Sequence, residues 1–203
     1  MLYAFVYGAI LALGLILPLG AQNLFIFMQG ARQKHFLHAM PTVLTAICCD
    51  TILIVCAVLG VSVVVFTIPW LKTTILLLGF VFLLYIGWIS WHSAASKLNI
   101  DKIPLSTKKQ IMFTASVSLL NPHALLDTIG VIGTNSLSFV GNTKVVFTLA
   151  CILISACWFF TLSVMGHCLH KLDRKGSLLQ IINKLSAIIV WSIAMYIGWL
   201  LMH

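Results

Sequence analysis

Apolar residues run along this chain in long stretches separated by short polar loops. A helix needs about 20 apolar residues to cross the ~30 Å hydrocarbon core of a bilayer. By that measure six membrane-spanning helices are predicted, at about Tyr3 to Met28, Thr42 to Val65, Lys72 to Trp91, Ile111 to Gly133, Val145 to His167 and Leu179 to Met202. Two of them are interrupted. Pro18-Leu19-Gly20-Ala21-Gln22-Asn23 falls inside the first, and Leu120-Asn121-Pro122-His123-Ala124-Leu125-Leu126-Asp127-Thr128 inside the fourth. A proline in a membrane helix frees a backbone carbonyl that something else must satisfy. Helices 1 and 4 are therefore expected to break at Pro18 and Pro122, with the opened backbone facing protein or water. The expected fold is an all-α membrane protein, one transmembrane domain over residues 1–203.

Charges in the loops set the expected orientation. Arg32 and Lys34 follow the first stretch, Lys97, Lys102, Lys108 and Lys109 the third, and Lys171, Arg174, Lys175 and Lys184 the fifth. The opposite side holds Lys72 and Lys144. Lys and Arg concentrate in cytoplasmic loops, so the odd-numbered loops are expected inside and, with six crossings, both termini outside. A second topology fits the same loops. In it the first stretch is a re-entrant hairpin folded at Pro18, the N-terminus is inside and five crossings remain.

The chain also reads as duplicated. Tyr85-Ile86-Gly87-Trp88 closes the third stretch and Tyr196-Ile197-Gly198-Trp199 the sixth. Five residues past the two prolines stand Asn23 in one half and Asp127 in the other. Three crossings per half give the halves, about 1–95 and 108–203, opposite orientations. This is the inverted three-helix repeat of many transporters, whose sites lie at the repeat interface near the midplane.

Composition agrees with a membrane protein. Charged residues make up 8% of the 203 and hydrophobic residues 61%, where a soluble domain carries about 25% charged residues. The net charge of +8 sits in loops between apolar runs, so nucleic acid is not an expected partner. The six cysteines lie in apolar runs without the C-x2-C spacing of a zinc site and read as small packing residues. Gly8 with Gly14, and Gly130 with Gly133, read as positions of close helix approach. There is no nucleotide-binding G-x-x-x-x-G-K-[ST] loop and no spacing that argues a catalytic triad. An enzyme is not expected, no cofactor or metal is called for, and transport energy must come from a gradient.

The candidate site residues follow from cost. The chain has four acids and no Glu. Asp50 and Asp127 fall within apolar stretches, where a charge costs at least ~3 kcal/mol on insertion scales. Two such carboxylates suit a cationic substrate, a coupling proton, or both. The alternative is a structural clamp in which each acid bonds a neighbouring helix or a loop lysine. The helix that restarts after a break presents unpaired N–H groups and a positive dipole end, able to hold an α-carboxylate. Gly20 opens that backbone, and Gln22, Asn23 and Asn121 can add amide contacts. His123 either relays protons and orients Asp127 or is a satisfied structural histidine. Phe159 and Phe160 read as packing.

At these residues the chain resembles the lysine exporter (LysE/ArgO-type) family of bacterial amino acid efflux proteins. Pro18-Leu19-Gly20-Ala21-Gln22-Asn23 is similar to that family's P-[IL]-G-A-Q-N motif, and Leu120 to Thr128 to its L-N-P-H-x-x-L-D-T motif. Cys49-Asp50, Trp158-Phe159-Phe160 and Ile181-Ile182-Asn183 also fit, and Asp50 and Asp127 match the family's intramembrane acids. The resemblance implies export of lysine or arginine from the bacterial inner or plasma membrane, driven by the proton gradient or membrane potential. The implied partners are that amino acid, protons and the bilayer, with a homodimer allowed. Export of another small solute on the same fold, a neutral amino acid or a metal cation, is the alternative.

Overall fold

The computed structural model describes residues 1–17, 20–33, 35–60, 69–95, 105–121, 124–125, 127–172 and 177–202. Among them every regular element is helical. Helix α1 is Leu2–Ile16 and α2 is Ala21–Arg32. A short 3-10 turn, Phe36–Ala39, leads into α3, Met40–Val58. Helix α4 is Pro69–Ala95 and α5 is Thr107–Leu119. A π-helical segment, Asp127–Gly133, runs into a helical turn at Thr134–Ser136. Helix α6 is Asn142–Leu172 and α7 is Ser177–Met202.

Among the described residues, Phe36–Val58 and Asn142–Leu169 are each long and apolar enough to cross a membrane, and α1 with α2, inclined at 80°, pass that test together. At 1.5 Å per residue α1 is about 22 Å long and α2 about 18 Å, so neither alone spans the ~30 Å apolar core. The breaks expected at Pro18 and Pro122 fall on residues outside those described. Helix α3 ends at Val58, seven residues before the Val65 expected from hydropathy. The cause is Gly60, whose φ of 92° suits a residue without Cβ and turns the chain.

The packing partners define the architecture. α1 and α2 lie against α6, while α5 and the π-helical segment lie against α3. α3 also packs on α6, and α4 pairs with α7. One buried cluster joins Ala4 and Ala12 of α1 to Ile54, Val58, Ile132, Phe147 and Cys151. A second joins Ile26 of α2 to Val43 and Ala46 of α3 and Phe159 and Leu162 of α6. A third holds Leu83 of α4 against Val190 and Ala194 of α7, with Ala21 and Val117. Large apolar side chains such as Leu78, Val81, Leu149, Leu153 and Met195 are exposed, the surface expected of a protein bathed in lipid.

Small residues bring the helices close. A Cβ on Gly30 would overlap the Ser163 carbonyl, and one on Gly166 would overlap the Phe27 carbonyl, so α2 and α6 touch backbone to backbone. Gly8 plays the same part, 2.8 Å from the Phe147 carbonyl oxygen by the same measure. Gly14, expected to pair with it, faces open space. On α4 and α7, Gly87 seats the Trp191 ring and Gly198 seats the Phe80 ring.

Candidate functional site

A cavity of about 80 Å³ opens where α2, α3, the π-helical segment and α6 converge. A water needs ~10–15 Å³ by this measure, so the cavity has room for several. Asp50 and Asp127 both line it. So do Gly20, Ala21, Gln22 and Asn23 from the start of α2, Asn121 and Thr128 beside the second break, and Ser155 and Phe159 from α6.

The start of α2 is an open helix end. Gly20 is its extended N-cap residue, with φ −78° and ψ 176°, and no side chain caps the helix. Leu24 N–H donates to the Gly20 carbonyl at 3.0 Å, the first bond of the helix. The N–H groups of Ala21 and Gln22 therefore have no acceptor within the helix, and both residues line the cavity. The amide Nε2 of Gln22, a side chain only 7% exposed, also has no partner.

Asn23 has a second task that the sequence did not suggest. Its Nδ2 donates to the Ile16 carbonyl at 2.6 Å. Ile16 is the last residue of α1, whose final carbonyls have lost their helical donors. Asn23 thus ties the end of α1 to the start of α2. Across the cavity, Asn121 Nδ2 lies 3.8 Å from the place a Gly20 Cβ would occupy, so the two motif stretches abut.

The two acids differ in setting. Asp50, near the middle of α3, accepts a hydrogen bond from the Ser155 hydroxyl of α6. Ser155 is 4% exposed and was not singled out from the sequence. Asp127 is half-buried and opens the π-helical segment. π-Helical turns are rare and occur often at functional sites. Hydropathy does not reveal them, because the extra residue shifts register without changing composition. Pro18, Pro122 and His123 lie outside the described residues. Phe159, read as packing, does pack, but it also forms a cavity wall. Among the described residues no three His, Cys, Asp or Glu side chains gather as a metal cluster.

The chain is 50% identical over 195 residues to "Putative amino-acid transporter YisU" of Bacillus subtilis strain 168, covering 96% of this chain and 89% of that one. It is 30% identical over 203 residues to the arginine exporter protein ArgO of Serratia proteamaculans, covering 98% of each. With ArgO of Escherichia coli O157:H7 it shares 34% over 196 residues, covering 94% of this chain and 91% of that one. No solved structure matches it. The LysE type translocator model matches residues 13–199. A chain whose described regular elements are all helical, with membrane-length apolar helices and with Asp50 and Asp127 on one cavity, matched over residues 13–199, belongs to the LysE type translocator family of membrane transporters and is not an enzyme.

Proposed function

We propose that this protein is a secondary exporter of basic amino acids, lysine or arginine, driven by a proton or membrane-potential gradient across a bacterial plasma membrane. The observation that carries the reading is the cavity itself, where two carboxylates, Asp50 and Asp127, share walls with the uncapped start of α2. A basic amino acid has a carboxylate at one end and a cation at the other. The N–H groups of Ala21 and Gln22, with the Gln22 amide, suit the carboxylate, and Asn23 lines the same wall. Asp127 suits the side-chain cation, and Asp50 serves as its second partner or as the proton site. Gly20 lets the substrate approach the backbone, and Asn121 adds an amide contact. In this reading His123 acts beside Asp127, and Pro18 and Pro122 break their helices.

We also infer that the chain crosses the membrane as two inverted repeats, about 1–95 and 108–203. Exchanged contacts support this. The first-half helices α1 and α2 lie on the second-half α6, and the second-half α5 and π-helical segment lie on the first-half α3. Gly87 meets Trp191 and Gly198 meets Phe80, and one offset of 111 residues relates 87 to 198 and 80 to 191. A two-fold axis between the halves produces such reciprocal pairs.

The test is efflux from reconstituted vesicles preloaded with lysine, arginine, neutral amino acids or divalent metal salts, with and without a pH gradient. The expected result is efflux of lysine or arginine that Asp127→Asn abolishes while the variant still inserts in the membrane. Normal lysine and arginine efflux by that variant overturns the assignment. Efflux of neutral amino acids or metal ions alone would replace the substrate class.

A further inference from the structure

On the side of the cavity toward Arg32, an apolar cluster forms a plug. Phe159 is both a cavity wall and a member of the buried cluster with Ile26, Val43, Ala46 and Leu162. Past that plug the buried side chains become polar again on each helix that forms it. Gln29 follows Ile26 by one turn on α2, and Gln33 follows Gln29 by another. Ser163 follows Leu162 on α6 and lies against Gly30, the neighbour of Gln29. Thr42 precedes Val43 on α3, and its hydroxyl donates to Gln110 Oε1 of α5 at 3.1 Å.

Thr42 and Gln110 are satisfied, since Gln110 Nε2 also donates to the Leu105 carbonyl at 2.8 Å. Gln29, Gln33 and Ser163 are not. They are 1%, 2% and 0% exposed. Neither amide atom of Gln29 has a partner, nor does Gln33 Nε2 or Ser163 Oγ. Protein cores rarely leave buried polar groups unpaired, and each such group calls for a specific explanation. Here three occur beyond the plug, two along the end of α2 and one on the stretch of α6 that packs against Gly30 of α2.

Resting on the reading of the cavity as the substrate site, we propose that Gln29, Gln33 and Ser163 form a second polar station, on the Arg32 side of the Ile26–Phe159 plug, that takes the zwitterionic head of an amino acid. Gln29 offers both a donor and an acceptor, and Gln33 Nε2 and Ser163 Oγ offer further donors. That set suits a carboxylate and an ammonium held together, whereas a lone ion needs a countercharge. The α2–α6 backbone contact keeps these two helices together. The route therefore opens where Ile26 and Phe159 part from Val43 and Ala46 of α3.

The test uses the full chain with its native cysteines replaced, reconstituted in vesicles and treated from each face with a membrane-impermeant thiol reagent. His35→Cys, in the exposed turn after Arg32, marks the face. Gln29→Cys and Gln33→Cys are expected to react from the His35→Cys face and not from the other. Saturating lysine, arginine or alanine is expected to abolish that reaction. Where Gln29→Cys does not reach the membrane, Ser163→Cys reports the same station. No reaction from the His35→Cys face overturns the proposal. So does a reaction that no amino acid alters in a protein that still transports one. Failure of the cavity reading looks different, because Asp127→Asn then transports like the parent while labelling and its protection persist.

Discussion

Gly166→Ala places one methyl group where α6 meets the main chain of α2. Its Cβ would overlap the Phe27 carbonyl oxygen and stand 3.0 Å from the Ala31 nitrogen. Neither atom can rotate aside, as the end of a side chain could, so α2 and α6 must part. An extra methyl in a packed interior costs about 1–3 kcal/mol. With main chain as the obstacle the upper part of that range applies, and 2 kcal/mol changes the folding equilibrium about 30-fold. Parting the helices also moves the start of α2, and with it Gln22 and Asn23 at the cavity wall. Gly30→Ala meets the Ser163 carbonyl in the same way. Once one methyl has separated the helices, the second finds room, so the double variant should lose less than the two single losses combined, by about 0.5 kcal/mol or more. Gly14→Ala is the control. Nothing lies within 4 Å of its Cβ, and alanine in a helix is worth about 0.5–1 kcal/mol over glycine. The assay is reversible unfolding in mixed micelles of rising denaturing-detergent fraction, paired with efflux from vesicles. Gly166→Ala within ~0.5 kcal/mol of the parent, or strictly additive losses, would refute the close α2–α6 contact.

Ser155→Ala removes a hydroxyl donor from the Asp50 carboxylate; hydrogen bonds to charged groups contribute about 1.5–3 kcal/mol. The variant should be less stable in the same unfolding assay and slower in efflux, with Ser155→Thr restoring both, and an unaffected Ser155→Ala would show that the bond contributes nothing. Asn23→Leu leaves the part-buried Ile16 carbonyl without this donor, a loss of about 0.5–1.5 kcal/mol, and amide exchange at the end of α1 should quicken; unchanged exchange would sink the idea that Asn23 joins the two helices. Tyr7→Phe deletes the 2.6 Å bond to Asn135 Oδ1 and should cost about 0.5–1.5 kcal/mol, with efflux per folded molecule unchanged because neither residue lines the cavity.

Much of this site is legible from cost alone. Asp50, Asp127, Gln22 and Asn23 stand out because lipid penalises them, and all four line one cavity. The apolar stretches appear as helices for the same reason. Other features leave no such trace. Ser155 costs little in an apolar helix, so nothing in composition separates it from Ser163 or Ser118. Gln29 and Gln33 lie past the last residue of the first apolar stretch and read as loop, yet both are buried in the fold. That burial depends on glycines that touch across more than a hundred residues of sequence, a pairing that no local pattern encodes. The π-helical segment is hidden because periodicity over seven residues does not distinguish it from an α-helix.

The exchange of partners between α2 and α6 has a consequence for biosynthesis. α2 is short and carries Gln22, Asn23, Gln29 and Arg32. The helix that covers it begins roughly 110 residues later, which at ~5–20 residues per second is a wait of roughly 5–20 s. During that interval Gln22 and Gln29 lack the helix that shields their amides from lipid. The segment must stay at the insertion machinery or at the headgroup boundary until α6 emerges. A chain halted after residue 95 never receives its covering helix and becomes a substrate for membrane quality control.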